Sequence, residues 1–276
     1  MLGAGDYTIS LGQMRGVPLR KALPALARAG FAGFALSIDA YRAAREAGLS
    51  DADIRALVAD NGLAIEWLDG LICWLPGAPV PPGLLAAKDP AEFFDAAAAI
   101  GAPMVNAVEI FGHDPGEAAK VDGFAALSDG AQKQGLKVSL EFTPIGSIPD
   151  LPAAARIVEA AAHGNGGILF DTWHFTRSHG TIEQIAAVAP DRLFALQVSD
   201  TGAPGQCSLF DETMHHRLLP GEGQGRVADL LAFFAAHGVK RALSAEVFND
   251  ALLALPLGEM LSRTIAAMRR VSPWEV

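Results

Sequence analysis

Three carboxylates and one amide in the second half of the chain share a setting: each closes a short apolar run. Lys137-Val138-Ser139-Leu140-Glu141 ends in Glu141, Gly167-Ile168-Leu169-Phe170-Asp171 in Asp171, Leu193-Phe194-Ala195-Leu196-Gln197 in Gln197, and Ala242-Leu243-Ser244-Ala245-Glu246 in Glu246. His174 follows Asp171 by three residues. Runs this short and this uniformly apolar read as strands covered on both faces. Taken singly, Asp171 is accounted for as a helix cap and His174 as a hydrogen-bonded core histidine. Repetition of the pattern is what points to a site. An oxygen-rich set of three carboxylates and an amide suits a hard divalent cation, Mg2+ or Mn2+, with Zn2+ kept as a further candidate.

Two long connecting stretches carry the other chemistry-bearing residues. Asp69 to Lys88 opens just after Trp67 and brings Asp69, Cys73 and Trp74 into an apolar, proline-rich segment, expected to form a pocket wall or lid. Trp67 and Trp74 read equally as core packing and as substrate contacts, and Asp69 reads as a turn residue or a pocket carboxylate. Ser199 to Gly225 contains His215-His216-Arg217 and Gly221-Glu222-Gly223-Gln224-Gly225. Arg217 beside His216 is suited to hold a hydroxyl, carbonyl or carboxylate. The glycines there are read as enabling sharp turns rather than as a phosphate cradle, because Glu222 opposes an anion. Glu109, just past the fourth strand, is read as a structural or solvated carboxylate.

The elements that must position these residues alternate strictly. Strands are expected at Tyr7 to Leu11, Phe31 to Ile38, Leu63 to Leu68 and Pro103 to Val108, followed by the four already named. Helices lie between them. The first runs from Pro18 to Ala29 before Gly30, the second opens at a Ser50-Asp53 capping box, the third starts at Asp89-Pro90 and closes at Gly101, and the fourth spans Glu117 to Gln134. Asp150 and Thr181 cap the fifth and sixth, Arg226 to His237 is the seventh, and Leu257 to Arg270 ends the chain. Eight strands and eight helices without a compositional break predict a single (β/α)8 TIM-barrel domain over residues 1–276. A doubly wound open sheet is the alternative, and it explains less well why ligands at successive strand ends would converge.

The whole chain narrows the function classes. Its 276 residues are 51% hydrophobic, enough for a large core, and its formal net charge is −10 with the basic residues scattered. Nucleic acid wants a basic stripe, so it is not an expected partner. No stretch of about 18 apolar residues occurs and the first residues lack a signal-peptide pattern, so no membrane partner is expected and a soluble cytoplasmic protein is read. Cys73 and Cys207 lack metal-type spacing and are read as thiols. Assembly as a homo-oligomer is left open.

On Glu141, Asp171 with His174, Gln197 and Glu246, together with His216-Arg217-Leu218-Leu219-Pro220-Gly221-Glu222-Gly223 and Glu246-Val247-Phe248-Asn249-Asp250, the chain resembles the xylose isomerase-like TIM-barrel superfamily of sugar isomerases and epimerases. The stretch from Lys137 to Asp250 carries the specific part; the first half matches in architecture alone. The resemblance implies that Glu141, Asp171, Gln197 and Glu246 bind one divalent metal, that Glu141 and Glu246 also move protons, and that His174 and Arg217 contact substrate. Many members have histidine where this chain has Gln197; the hydroxypyruvate isomerase and 3-dehydroshikimate dehydratase branches resemble it in using glutamine. The expected activity is isomerisation or epimerisation of a keto-polyol through an enediolate. The alternative is a dehydratase of the dehydroshikimate or inosose type with His174 as base. The absence of an arginine from Leu68 to Leu75 favours the isomerase. The DNA-repair enzymes that share the barrel would need a basic face, which is lacking, and a non-catalytic metal-binding scaffold stays open.

Overall fold

The strands close on themselves. In a computed structural model, which describes residues 2–79 and 89–274, β1 (Tyr7–Ser10), β2 (Gly33–Ser37), β3 (Ala64–Leu71), β4 (Met104–Val108), β5 (Lys137–Glu141), β6 (Gly166–Asp171), β7 (Leu193–Val198) and β8 (Leu243–Ala245) pair in parallel in chain order. β8 returns to β1, with Thr8 opposite Ser244. That pairing rules out the open sheet, and closure leaves no unpaired edge. The architecture is a (β/α)8 barrel.

The outer layer comprises α1 (Leu19–Ala29), α2 (Ile38–Glu46), α3 (Asp51–Asp60), α4 (Pro90–Ile100), α5 (Glu117–Gln132), α6 (Leu151–Ala161), α7 (Thr172–Arg177), α8 (Ile182–Ala186), α9 (Leu209–His215), α10 (Val227–Ala236), α11 (Asp250–Leu253) and α12 (Leu257–Val271). Local chemistry sets many boundaries. Ser50 and Asp53 form the reciprocal capping box of α3, and Asp89 and Asp150 cap α4 and α6 with proline in the first turn. Gly30 and Gly101 end α1 and α4 in the left-handed conformation, φ 93° and 79°, which glycine enters without a Cβ penalty. Between helices and barrel lies the main core. There Phe170 packs against Phe142, Phe175 and Phe234 at ring-centroid distances of 5.7, 4.8 and 4.8 Å. Each such fully buried ring contributes on the order of 1.5–3 kcal/mol.

The structure departs from the sequence reading in two ways. Four helices, α2, α7, α9 and α11, supplement the eight crossover helices among the described residues; α7, α9 and α11 are too brief to show a periodic apolar face, whereas α2 is an amphipathic helix that the sequence reading passed over. β3 runs to Leu71 rather than Leu68, because Asp69 still pairs with Ser37 of β2 and Leu71 with Ala107 of β4. Asp69 is therefore a strand residue, not the first residue of a loop. Residues 80–88 of the expected lid lie outside the described residues. No helix among those described is long and apolar enough to cross a membrane.

Candidate active site

Strand parity decides which side chains enter the barrel. Trp67, Leu169 and Ala195, with Ala35 and Met104, form a small buried cluster inside it. Two residues further along the same strands stand Asp69, Asp171, Gln197 and Asn106, and Glu141 and Glu246 join them from the ends of β5 and β8. A polar layer thus lies on an apolar floor, at the carboxyl ends of the strands where barrel enzymes build their sites. Trp67, expected as a substrate contact, belongs to that floor and has no exposed surface.

The structure brings Glu141, Asp171 and His174 together, with ligand-capable atoms all within 4.8 Å of one another. Asp171 serves two readings at once. Its Oδ1 accepts from the His174 backbone N–H (2.9 Å) as the cap of α7, and its Oδ2 accepts from Arg217 Nη1 (3.0 Å). Glu141 Oε1 lies 3.2 Å from His174 Nε2, and its Oε2 accepts from Asn106 Nδ2 at 2.6 Å. Gln197 donates through Nε2 to Glu246 Oε1 (3.1 Å), while its Oε1, fully buried, has no partner. His174 Nδ1 is likewise buried and unpartnered.

Arg217 is held rigidly. Its Nη1 reaches Asp171, Glu246 Oε2 and the Glu246 carbonyl, its Nε and Nη2 donate to Thr213, and its guanidinium lies over the rings of Trp173 and Phe248 at 5.2 and 5.4 Å. A planar fork that donates to several acceptors and lies against aromatic rings is a task for arginine rather than lysine. The buried charges shift the titrations. Burial, with Asp171 nearby, pushes Glu141 up to about 7; burial pushes Glu246 up to about 8 against the opposing pull of Arg217. Burial and the guanidinium lower His174 to about 4, despite Asp171 and Glu246, so its ring is neutral.

Other expected residues fall elsewhere. Trp74 packs against Phe124 and over Gly123 of α5, donating its indole N–H to the Val108 carbonyl (3.3 Å), so it belongs to the outer core rather than to the pocket. His216 is exposed at the margin, beside Gly202 and Asn249. Glu109 is structural, accepting from the backbone N–H groups of Phe111, His113 and Ser147. The glycine-rich stretch cradles the protein's own carboxylate: Asp200 accepts from the N–H groups of Thr201, Gly221, Gly223 and Gly225. Those donors are spent, so no phosphate cradle exists there.

Asn106 escaped the sequence reading. Its Nδ2 spans Glu141 and Asp69 Oδ1 (2.9 Å), and its Oδ1 accepts from Ser139 (2.8 Å). The available signal was a lone amide interrupting Met104-Val105-Asn106-Ala107-Val108 at inward parity.

Comparison with known proteins fits this geometry. The family described as xylose isomerase-like TIM barrel matches residues 23–271. The chain belongs to that family. Among curated relatives, a 3-dehydroshikimate dehydratase of Pseudomonas putida is 28% identical over 137 residues, 49% of this chain and 21% of that protein. An inosose isomerase of Halalkalibacterium halodurans is 30% identical over 131 residues, 47% of this chain and 45% of that one. The match thus spans about a fifth of the first relative and under half of the second. Within the xylose isomerase-like fold, the solved structure of an IolI protein with a bound zinc atom superposes with a TM-score of 0.85 at 18% identity, covering 97% of this chain and 98% of that one.

Proposed function

We propose that the chain is a divalent-metal-dependent isomerase or epimerase of polyhydroxy ketones. The observation that carries the reading is the orphaned Gln197 Oε1, fully buried among Glu141, Asp171 and Glu246. A buried acceptor without a donor costs about 1–3 kcal/mol, which a cation at that position would recover. Glu141 and Asp171, which lie in one cluster, would hold it together with Gln197 and Glu246 beside them, Mg2+ or Mn2+ by the hardness of their oxygens, with the zinc of the IolI structure keeping Zn2+ open. Such an ion would supply Lewis-acid stabilisation of negative charge developing on the substrate carbonyl oxygen.

The chain's own residues do the rest. Glu141 and Glu246, on β5 and beyond β8, bring two carboxylates to the pocket from different strands, as groups that can take and return a proton. One glutamate removes the proton α to the carbonyl, the substrate passes through an enediolate, and a proton returned to the other face or carbon completes epimerisation or isomerisation. Arg217, bonded to Asp171, Glu246 and Thr213, holds the two carboxylates in place. The apolar floor keeps water from below.

Dehydration is the second reading, supported by the unpartnered Nδ1 of neutral His174 and by the dehydratase relative. There His174 takes the proton and a β-hydroxyl leaves as water. Metal-loaded protein in heavy water, with candidate keto sugars and keto-cyclitols, separates the two. Deuterium gained at carbon without loss of water is expected, with Glu246→Gln reducing turnover by about 100- to 10,000-fold while Mn2+ still binds. Water loss with a new ultraviolet chromophore, and His174→Ala more damaging than Glu246→Gln, would establish the dehydratase instead.

A further inference from the structure

We infer that Asp69 sets the substrate class: the pocket takes an uncharged polyhydroxy ketone and rejects counterparts bearing a phosphate or carboxylate. The inference rests on the enediolate reading and narrows it. Four carboxylates, Asp69, Glu141, Asp171 and Glu246, line one polar layer, facing a single guanidinium, Arg217. With all of them ionised, a divalent cation would still leave that layer negative.

Within the polar layer and the connection beside it, the groups that could hold an anion are engaged by the protein itself, and the exposed Arg15, over the ring of Phe248, is not part of that layer. Arg217 is committed to Asp171, Glu246 and Thr213. Arg177, the next arginine along, is forked onto Glu212 (2.9 and 3.0 Å) and the Gly202 carbonyl. The amide groups of the glycine-rich stretch hold Asp200. On the β3 side, Asp69 is only half-buried, and the charged group that acts on it is Glu141, a second anion. Asn106 donates its Nδ2 to Asp69 Oδ1, and a carboxylate with about four lone-pair sites keeps capacity to accept from a ligand. A carboxylate with a spare lone pair and no cation beside it, among the described residues, recognises a hydroxyl and repels an anion.

The test uses matched pairs with the Mn2+-loaded full chain: a free ketohexose against its terminal phosphate, and a polyhydroxycyclohexanone against a carboxylate-bearing analogue. Exchange of the α-proton in heavy water is followed by NMR. The neutral member of each pair should exchange at least about tenfold faster at equal subsaturating concentration. Asp69→Asn, nearly isosteric, should narrow that ratio, whereas a merely structural role would slow both members alike. Equal or faster exchange of the anionic member overturns this inference and leaves the enediolate reading standing. An unchanged ratio in a folded Asp69→Asn protein overturns the role of Asp69. No exchange with either pair, while calorimetry shows Mn2+ bound, overturns the functional reading and this inference with it.

Discussion

Gln197 and Asp171 sit side by side on β7 and β6 and face the same space, yet substitutions at the two should act in opposite directions. Imidazole is a better ligand than a neutral amide for most transition metals, so Gln197→His should bind Mn2+ as tightly as the parent or more tightly. Asp171→Asn keeps the cap on the His174 N–H, since asparagine caps as well as aspartate, but it removes a charge from the cation's surroundings and from Arg217. Affinity should fall at least about tenfold, and because one member of a buried ion pair is lost, the melting temperature should fall as well. Calorimetric titration decides. A folded Gln197→His protein that no longer binds Mn2+ would remove Gln197 from the ligand set. Much of this layer was legible in the chain because strand ends are marked by the switch from apolar to polar. Asn106 was not, since an amide in mid-strand shows its meaning only when its neighbours on β3 and β5 are known.

The connection from β7 to α10 illustrates how an element serves the site without entering it. Asp200 exchanges both backbone hydrogen bonds with Leu218, next to Arg217, and its carboxylate gathers four N–H groups of the same connection. A Cβ on Gly223 would collide with the Thr201 carbonyl oxygen, so the tight path needs glycine there. Asp200→Ala should strand several buried donors and cost about 2–4 kcal/mol. Because the same segment aims Arg217, activity should drop beyond the loss of folded protein, measured as turnover per folded molecule after a chemical-denaturation titration. Wild-type stability in that variant would show that the cradle is dispensable. The sequence revealed the turn-making glycines but not what they turn around: three glycine N–H groups converging on a carboxylate 21 to 25 residues earlier leave no local pattern. The short helices α7, α9 and α11 stayed hidden for a related reason, each being fixed by caps and tertiary contacts rather than by an apolar stripe.

At the scale of the whole molecule, the barrel trades stability for a pocket that holds charge, and pH should expose the trade. Burial raises Asp69 and Glu141 to about 7 and Glu246 to about 8, and Glu66, beside the Thr8 hydroxyl, is raised to about 7 as well. A carboxyl whose folded pKa exceeds its unfolded value keeps its proton in the folded chain where the unfolded chain has lost it. Its contribution is full below the unfolded pKa, 4.5 for glutamate, and is lost as pH rises through the folded value. His174 has the opposite sign. Lowered from 6.5 to about 4, it makes stability rise with pH between those limits and is silent above them. From pH 6.5 to about 8.5, therefore, these carboxyls act unopposed, and the metal-free protein should lose stability steadily across that window. Mn2+ reverses the slope, because its ligands must be deprotonated to bind and each proton already lost is one the metal need not displace. Thermal melts at both ends of the window, with chelator and with excess Mn2+, should give a lower metal-free melting temperature at the alkaline end and a larger metal-induced rise there. A metal-free melting temperature that holds or climbs from pH 6.5 to about 8.5 would mean that the three pocket carboxyls are not protonated in the folded, metal-free protein, and a metal-induced rise no larger at the alkaline end would mean that binding displaces no proton from them.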